Sequence, residues 1–209
     1  MKYLDFYKRL DSMKNKEYIE NFLVYNSSLV IAGVKPAVTV TMKKSNRKLH
    51  NSWTSYGKSF LKNINLKFVE LRESDSSIIV MIYDESILEK ELNKKTHIEF
   101  LVNMGYPFEI KINEYVNTLK YRYDQYHCPH ELGLFLGIPF EDVKDFMECT
   151  TKQCLLCGYW KVYNDSNKAK IIFNKYDTVK EYAIKNMLEG NSSRDLALSI
   201  KNSFYINAI

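Results

Sequence analysis

The sequence predicts an α+β fold in a single domain, with a mainly antiparallel sheet of about four strands (37–42, 66–73, 77–83 and 155–163) packed with helices. Three observations carry this. The stretch "LKFVELRESDSSIIVMIYDES" holds two β-rich runs joined by Ser74-Asp75-Ser76, the pattern of a hairpin. Apolar residues at helical spacing recur on both sides of it, in segments of unequal length. With only seven Gly and four Pro in 209 residues, no linker, low-complexity block or repeat divides the chain.

The elements follow in order. Apolar residues at 3, 6, 7, 10, 18, 19, 22 and 23 predict helix from Tyr3 to Leu23 with an interruption near Asn15, residues 1–21 forming an N-terminal helical segment. "LVIAGVKPAVTVTM" carries a Gly turn and then the alternating Val38 and Val40 of a strand. Trp53, Tyr56 and Phe60 share one stripe of a short helix, a spacing that favours burial over display. After the hairpin, Asp84 or Ser86 caps a helix through Leu92, and another covers Glu109 to Tyr121. Residues 155–163 read as the fourth strand. Asp165 or Ser166 then starts a helix with Ala169, Ile172, Phe173 and Tyr176 on one side. The tail 191–209 places Leu196, Ile200 and Phe204 at the spacing of a short docking helix.

Composition narrows the function classes. The longest strongly apolar run, Ile78 to Tyr83, is far shorter than the ~18 residues of a spanning helix. The N-terminus lacks the apolar core of a signal peptide, so a cytoplasmic location is expected, with the four Cys mostly as reduced thiols. The net charge of +5 is unevenly spread. No acidic residue occurs from Asn21 to Val69, where Lys35, Lys43, Lys44, Arg47, Lys48, Lys58, Lys62 and Lys67 lie, whereas acidic residues outnumber basic ones elsewhere. This third is where an anionic partner is expected. Within it, residues 43–67 join charge to the aromatic stripe, a combination that suits single-stranded nucleic acid if the rings face outward.

Chemistry-bearing residues concentrate in "HCPHELGLFLG", residues 127–137. Pro129 suits a first helical position, Glu131 a first turn, and Gly137 a left-handed stop, so helix punctuation explains much of the stretch. His130 and Glu131 at a helix start also make an acid/base pair or ligand-binding groups. The following helix, from Pro139 to Glu148, holds Glu141, Asp142, Asp145 and Glu148 against Lys144 alone, which argues against insertion into a DNA groove. Cys149, Cys154 and Cys157, with Cys128, have a spacing seen in iron–sulfur proteins. Strand geometry would point Cys154 and Cys157 to opposite faces, leaving them weak metal candidates. Lys35 sits between a Gly and a Pro at a strand entry, where it can grip a phosphate or carboxylate. No GxxxxGK[ST] or GxGxxG motif exists, and no cofactor is identified.

"IAGVKPA", "LRESDSSIIVMIYDESILEKEL", "HELGLFLGIPFEDVKDF" and "LCGYWKVYND" together resemble an uncharacterised bacterial family, domain of unknown function 3793, over residues 22–182. The most specific pieces are His130-Glu131-x-Gly133 with Phe135-Leu136-Gly137-x-Pro139, Glu141-Asp142-Val143, and Cys157-Gly158-Tyr159-Trp160-Lys161-Val162-Tyr163. The resemblance implies that Cys157 belongs to the family pattern while Cys128, Cys149 and Cys154 are private to this chain. It also implies a His-Cys pair where Tyr25-Asn26 stands here, and a setting in anaerobic redox or iron metabolism.

These readings converge on a binding or accessory protein that holds an anionic small molecule near Lys35, His130, Tyr159 and Trp160. Two alternatives stand beside it: a small-substrate enzyme using His130 and Glu131, and a nucleic-acid-binding or regulatory protein using residues 43–67.

Overall fold

In a computed structural model, the chain is described at residues 2–109, 111–148 and 151–205. It is α+β, as predicted, with a three-stranded antiparallel sheet between two layers of helix and a separate two-stranded hairpin. Helices α1 (Lys2–Ser12) and α2 (Asn15–Ile31) are parted at the expected interruption, but α2 runs on past Leu23. Its Ser27 and Ser28 hydroxyls donate to the carbonyls of Leu23 and Tyr25 at 2.6 and 2.8 Å, so these buried polar groups are satisfied within the helix. It stops at Gly33, whose φ of +71° lets the Gly33 and Val34 amides turn back to Val30 and Leu29.

Strands β1 (Ala37–Lys43), β2 (Lys67–Glu73) and β3 (Ser77–Tyr83) lie in the order β1-β3-β2, all neighbours antiparallel. Val38, Val40, Met42, Ile78, Val80 and Ile82 face one core with α2, while Ala37, Met81, Tyr83 and Leu71 face another. Covering on both faces explains why central β3 reads as the unbroken apolar run "IIVMIY". A bulge shifts the register of β2 between Glu70 and Arg72.

Between the strands, α3 (Arg47–Ser52), a π-helical turn (Trp53–Gly57) and α4 (Lys58–Asn63) cover the first core. Trp53 and Phe60 are buried there, as their spacing predicts, and Tyr56 is exposed. Gly57 is required because a Cβ would stand 2.5 Å from Trp53 Cε3.

The second core holds α5 (Glu85–Leu92), capped by Asp84 accepting from the Ile87 amide at 3.0 Å. It also holds α6 (Lys95–Asn103), which the sequence reading does not contain, and α7 (Ile112–Tyr126), shifted from the expected 109–121. Next come α8 (Leu132–Phe135) and α9 (Phe140–Met147). Helix α10 (Ser166–Leu188), capped by Asp165, and α11 (Ser193–Phe204) return to the first core, Leu196 and Ile200 docking as expected.

The fourth strand requires correction. Residues 155–163 are not one strand: β4 (Leu156–Cys157) and β5 (Lys161–Val162) fold back on each other around Gly158-Tyr159-Trp160. A Cβ at Gly158 would lie 2.3 Å from Phe173 Cε2, so the tight turn against α10 needs glycine there.

Candidate functional site

Residues 127–137 are built mostly as punctuation. His127 ends α7 with φ +64°, a conformation uncommon outside glycine. Pro129 and His130 lie in the turn before α8, which begins at Leu132, about one turn later than a helix opened by Pro129 would. Gly137, at φ +70°, ends α8 as expected: its amide turns back to the Leu134 carbonyl and the Ile138 amide to that of Gly133. A Cβ on Gly137 would stand 2.7 Å from Pro36 Cδ, so this turn rests directly on the one that carries Lys35.

Between α8, α9 and the β4–β5 hairpin lies a pocket of about 350 Å³, near the lower end of the range for small-ligand sites. It gathers His130, Tyr159 and Trp160, three of the four predicted ligand-binding residues, with Phe146 and Lys161. Its floor depends on Gly133, where a Cβ would meet Val143 Cγ2 at 2.7 Å. The His130 ring stands edge-on to Phe146 at 4.9 Å between centroids, and Lys161 Nζ lies 5.6 Å from the same ring. Two basic side chains therefore flank one aromatic surface at an open mouth, His130 and Lys161 both being exposed.

Asp142 holds the pocket wall in place. Buried in the first turn of α9, it accepts from Trp160 Nε1 at 2.8 Å, the Tyr163 and Asn164 amides at 2.9 and 3.1 Å, and Asn164 Nδ2 at 3.0 Å. Sequence reasoning counts Asp142 as one acid on a negative helix and as part of the Glu141-Asp142-Val143 piece of the resemblance, without a role in a site. Its signal is spacing, since it lies one turn before Phe146 and both line the pocket.

Lys35 is not among the pocket's lining residues. It is buried beside Tyr176, with Nζ 5.8 Å from that ring's centroid, and burial followed by the Lys180 charge lowers its pKa to about 8. Tyr159 joins the two regions. It lines the pocket, stacks edge-on against Tyr176 at 4.9 Å and donates its hydroxyl to Asp177 Oδ1 at 2.8 Å. Burial, then Asp177, pushes the Tyr159 phenol upward, so it stays protonated. Lys180, over the Tyr25 ring at 4.4 Å, has its own pKa lowered by burial.

Glu131 points elsewhere. Fully buried, it pairs with Arg122 and accepts from the Tyr106 hydroxyl at 3.2 Å, while Arg122 Nη1 donates to the Met104 carbonyl at 3.1 Å. His130 and Glu131 are thus adjacent in sequence but not brought to one pocket.

Cys154 and Cys157 show a second difference. Because β4 spans only Leu156–Cys157 and Cys154 precedes it, their sulfurs do not diverge as on a continuous strand but lie 3.4 Å apart. Cys128 lines the pocket and Cys149 lies outside the described residues. Among the described residues, no group of three or more His, Cys, Asp or Glu is placed to hold a metal ion.

A larger cavity of about 450 Å³, lined by Arg194, Lys201 and Asp84, borders Tyr205, the last described residue before the C-terminus. Its Asp84 is already committed to capping α5. The hairpin pocket is the stronger candidate because aromatic, cationic and imidazole groups from separate segments meet there.

No curated protein and no solved structure matches the chain. A family model, described as "Protein of unknown function (DUF3793)", matches residues 23–197 and so spans both the sheet and the hairpin pocket; the chain belongs to that family.

Proposed function

We propose that the protein is a cytoplasmic small-ligand-binding or accessory protein, serving anaerobic redox or iron metabolism, whose ligand combines a flat apolar body with an anionic group. The observation that carries this reading is the meeting of Trp160, Phe146, His130 and Lys161 around one pocket. The rings offer faces for an apolar body, and the two basic groups at the mouth attract a phosphate or carboxylate. Exposed Cys128 and Cys157 suit a reducing compartment. A binding role is favoured over acid/base catalysis by His130 and Glu131, because the Glu131 carboxylate is occupied by Arg122 and Tyr106.

Flavin mononucleotide, an aromatic ring system with a phosphate, is a suitable probe. Titration is expected to change Trp160 fluorescence and raise the unfolding temperature of the full chain. The His130→Ala and Lys161→Ala variants change exposed side chains and are expected to weaken binding about tenfold each, near the worth of one charge-assisted contact. Binding unchanged in both variants overturns the assignment of this pocket, as does no binding across flavin, haem and nucleotide probes.

A further inference from the structure

The geometry points to a thiol–disulfide exchange site formed by Cys154 and Cys157, whose substrate is a small disulfide and whose product is an intramolecular disulfide. This rests on the hairpin, which shares Lys161 with the ligand pocket but places neither sulfur among the residues that line it.

The two sulfurs lie 3.4 Å apart, and a disulfide needs about 2.05 Å, so closure asks for a movement of about 1.4 Å. The backbone on one side of the pair is held firmly. Leu155 N–H donates to the Val162 carbonyl at 2.8 Å, Leu156 pairs with Val162, and Asp142 fixes Trp160, Tyr163 and Asn164. The other side of the pair leads through Gln153 to Lys152, which is anchored to Asp145 at 2.6 Å. Closure therefore brings together two sulfurs already in contact, on a segment tethered at both ends.

The two cysteines have different surroundings. Cys157 is exposed and sits directly across the hairpin from Lys161, on the same face, where the ammonium favours its thiolate. Cys154 is half-buried and its sulfur contacts the Leu156 carbonyl at 3.4 Å. Exposure makes Cys157 the attacking residue and Cys154 the resolving one. Hydrogen bonding to Cys154 keeps the Cys157 pKa above its ordinary value despite Lys161, so the reaction quickens as pH rises.

The chemistry balances with a disulfide RSSR as oxidant. Cys157 loses its proton and attacks one sulfur of RSSR; that S–S bond breaks, and RS⁻ leaves and takes up a proton as RSH. Cys154 then loses its proton and attacks Cys157 Sγ in the mixed disulfide, expelling a second RSH. Two protein thiols are oxidised to one disulfide, and one RSSR is reduced to two RSH.

The test treats the full reduced chain with oxidised glutathione under anaerobic conditions and follows intact mass, free thiols and peptide maps. Wild-type protein is expected to become lighter by two hydrogens, lose two titratable thiols and yield a Cys154–Cys157 linkage. Cys154→Ser is expected to stop at a stable mixed disulfide on Cys157. Cys157→Ser is expected to react at least about tenfold more slowly at this site, since the exposed thiol is gone. A persistent glutathione adduct at Cys154 or Cys157 of the wild type, linkage through Cys128 or Cys149, or equal rates in wild type and Cys157→Ser overturns the inference. Far-UV circular dichroism of each variant separates lost exchange from lost folding.

Discussion

Lys35 is 8% exposed, its ammonium lies over Tyr176, and no carboxylate among the described residues pairs with it. Burial lowers its pKa from 10.5 to about 8, with Lys180 adding to the effect. Between these values the unfolded chain holds the proton more tightly than the folded one, so stability rises as pH increases from about 8 to 10.5. Below pH 8 the cost of the buried charge is present in full, on the order of 3 kcal/mol. Lys35→Met is therefore expected to stabilise the fold by about 2–3 kcal/mol at pH 7, the gain shrinking to near zero by about pH 11. Urea unfolding at the two pH values checks this, and an equal gain at both would mean that the charge is not the cause. The sequence locates Lys35 at a constrained turn, but its burial depends on α10, whose Tyr176 and Lys180 come from the far end of the chain. His130 and Glu131 illustrate the same limit. Neighbouring side chains diverge, and the positions of Arg122 on α7 and of Tyr106 decide that Glu131 turns inward.

At the level of elements, local signals were the readable ones. The β2–β3 hairpin, the Asp84 and Asp165 caps and the Gly137 stop all follow from short-range chemistry, and the structure contains each. The β4–β5 hairpin was hidden because "CLLCGYWKVY" has strand composition and its turn carries no Asn-Gly or Asp-Gly signal. What forces the reversal is tertiary. Asp142 draws Trp160 and Asn164 toward α9, and Gly158 alone leaves room for Phe173. Gly158→Ala is accordingly expected to cost about 1–3 kcal/mol, the usual penalty for overpacking. It should also weaken flavin mononucleotide binding, because the displaced turn carries Tyr159 and Trp160. Thermal unfolding with ligand titration on the same variant tests both, and unchanged stability would show that Phe173 can move aside.

For the whole molecule, folding offsets part of the charge segregation seen along the chain. Lys44 meets Glu73 at 2.8 Å, Lys58 meets Glu70 at 2.7 Å, Lys67 meets Glu85 at 3.7 Å, and Lys35 is buried. The basic segment is thus laced to the acidic residues that follow it. Two of its three aromatics are in the core, where Trp53 Nε1 donates to Glu70 at 3.0 Å and no base can reach. Single-stranded oligonucleotide binding is expected to be weak at ~150 mM salt and without base preference. Fluorescence anisotropy with a labelled oligonucleotide reads this directly, and saturable binding with a steep salt slope would instead establish residues 43–67 as an interface. The aromatic spacing is therefore informative about the core, while charge along the sequence leaves out the acidic partners that folding brings to Lys44, Lys58 and Lys67.

The register shift in β2 bears on the behaviour of the molecule in a crowded solution. An outer strand that runs straight offers its free amides and carbonyls as a template for another chain. Here the pairing of β2 with β3 breaks step between Glu70 and Arg72, and Lys67, Glu70, Arg72 and Glu73 line the strand with charge of both signs. A second copy trying to extend the sheet from this side would meet a kinked ladder and charges it must desolvate. The irregularity thus guards against fibrous self-association at this edge of a small, strongly apolar sheet.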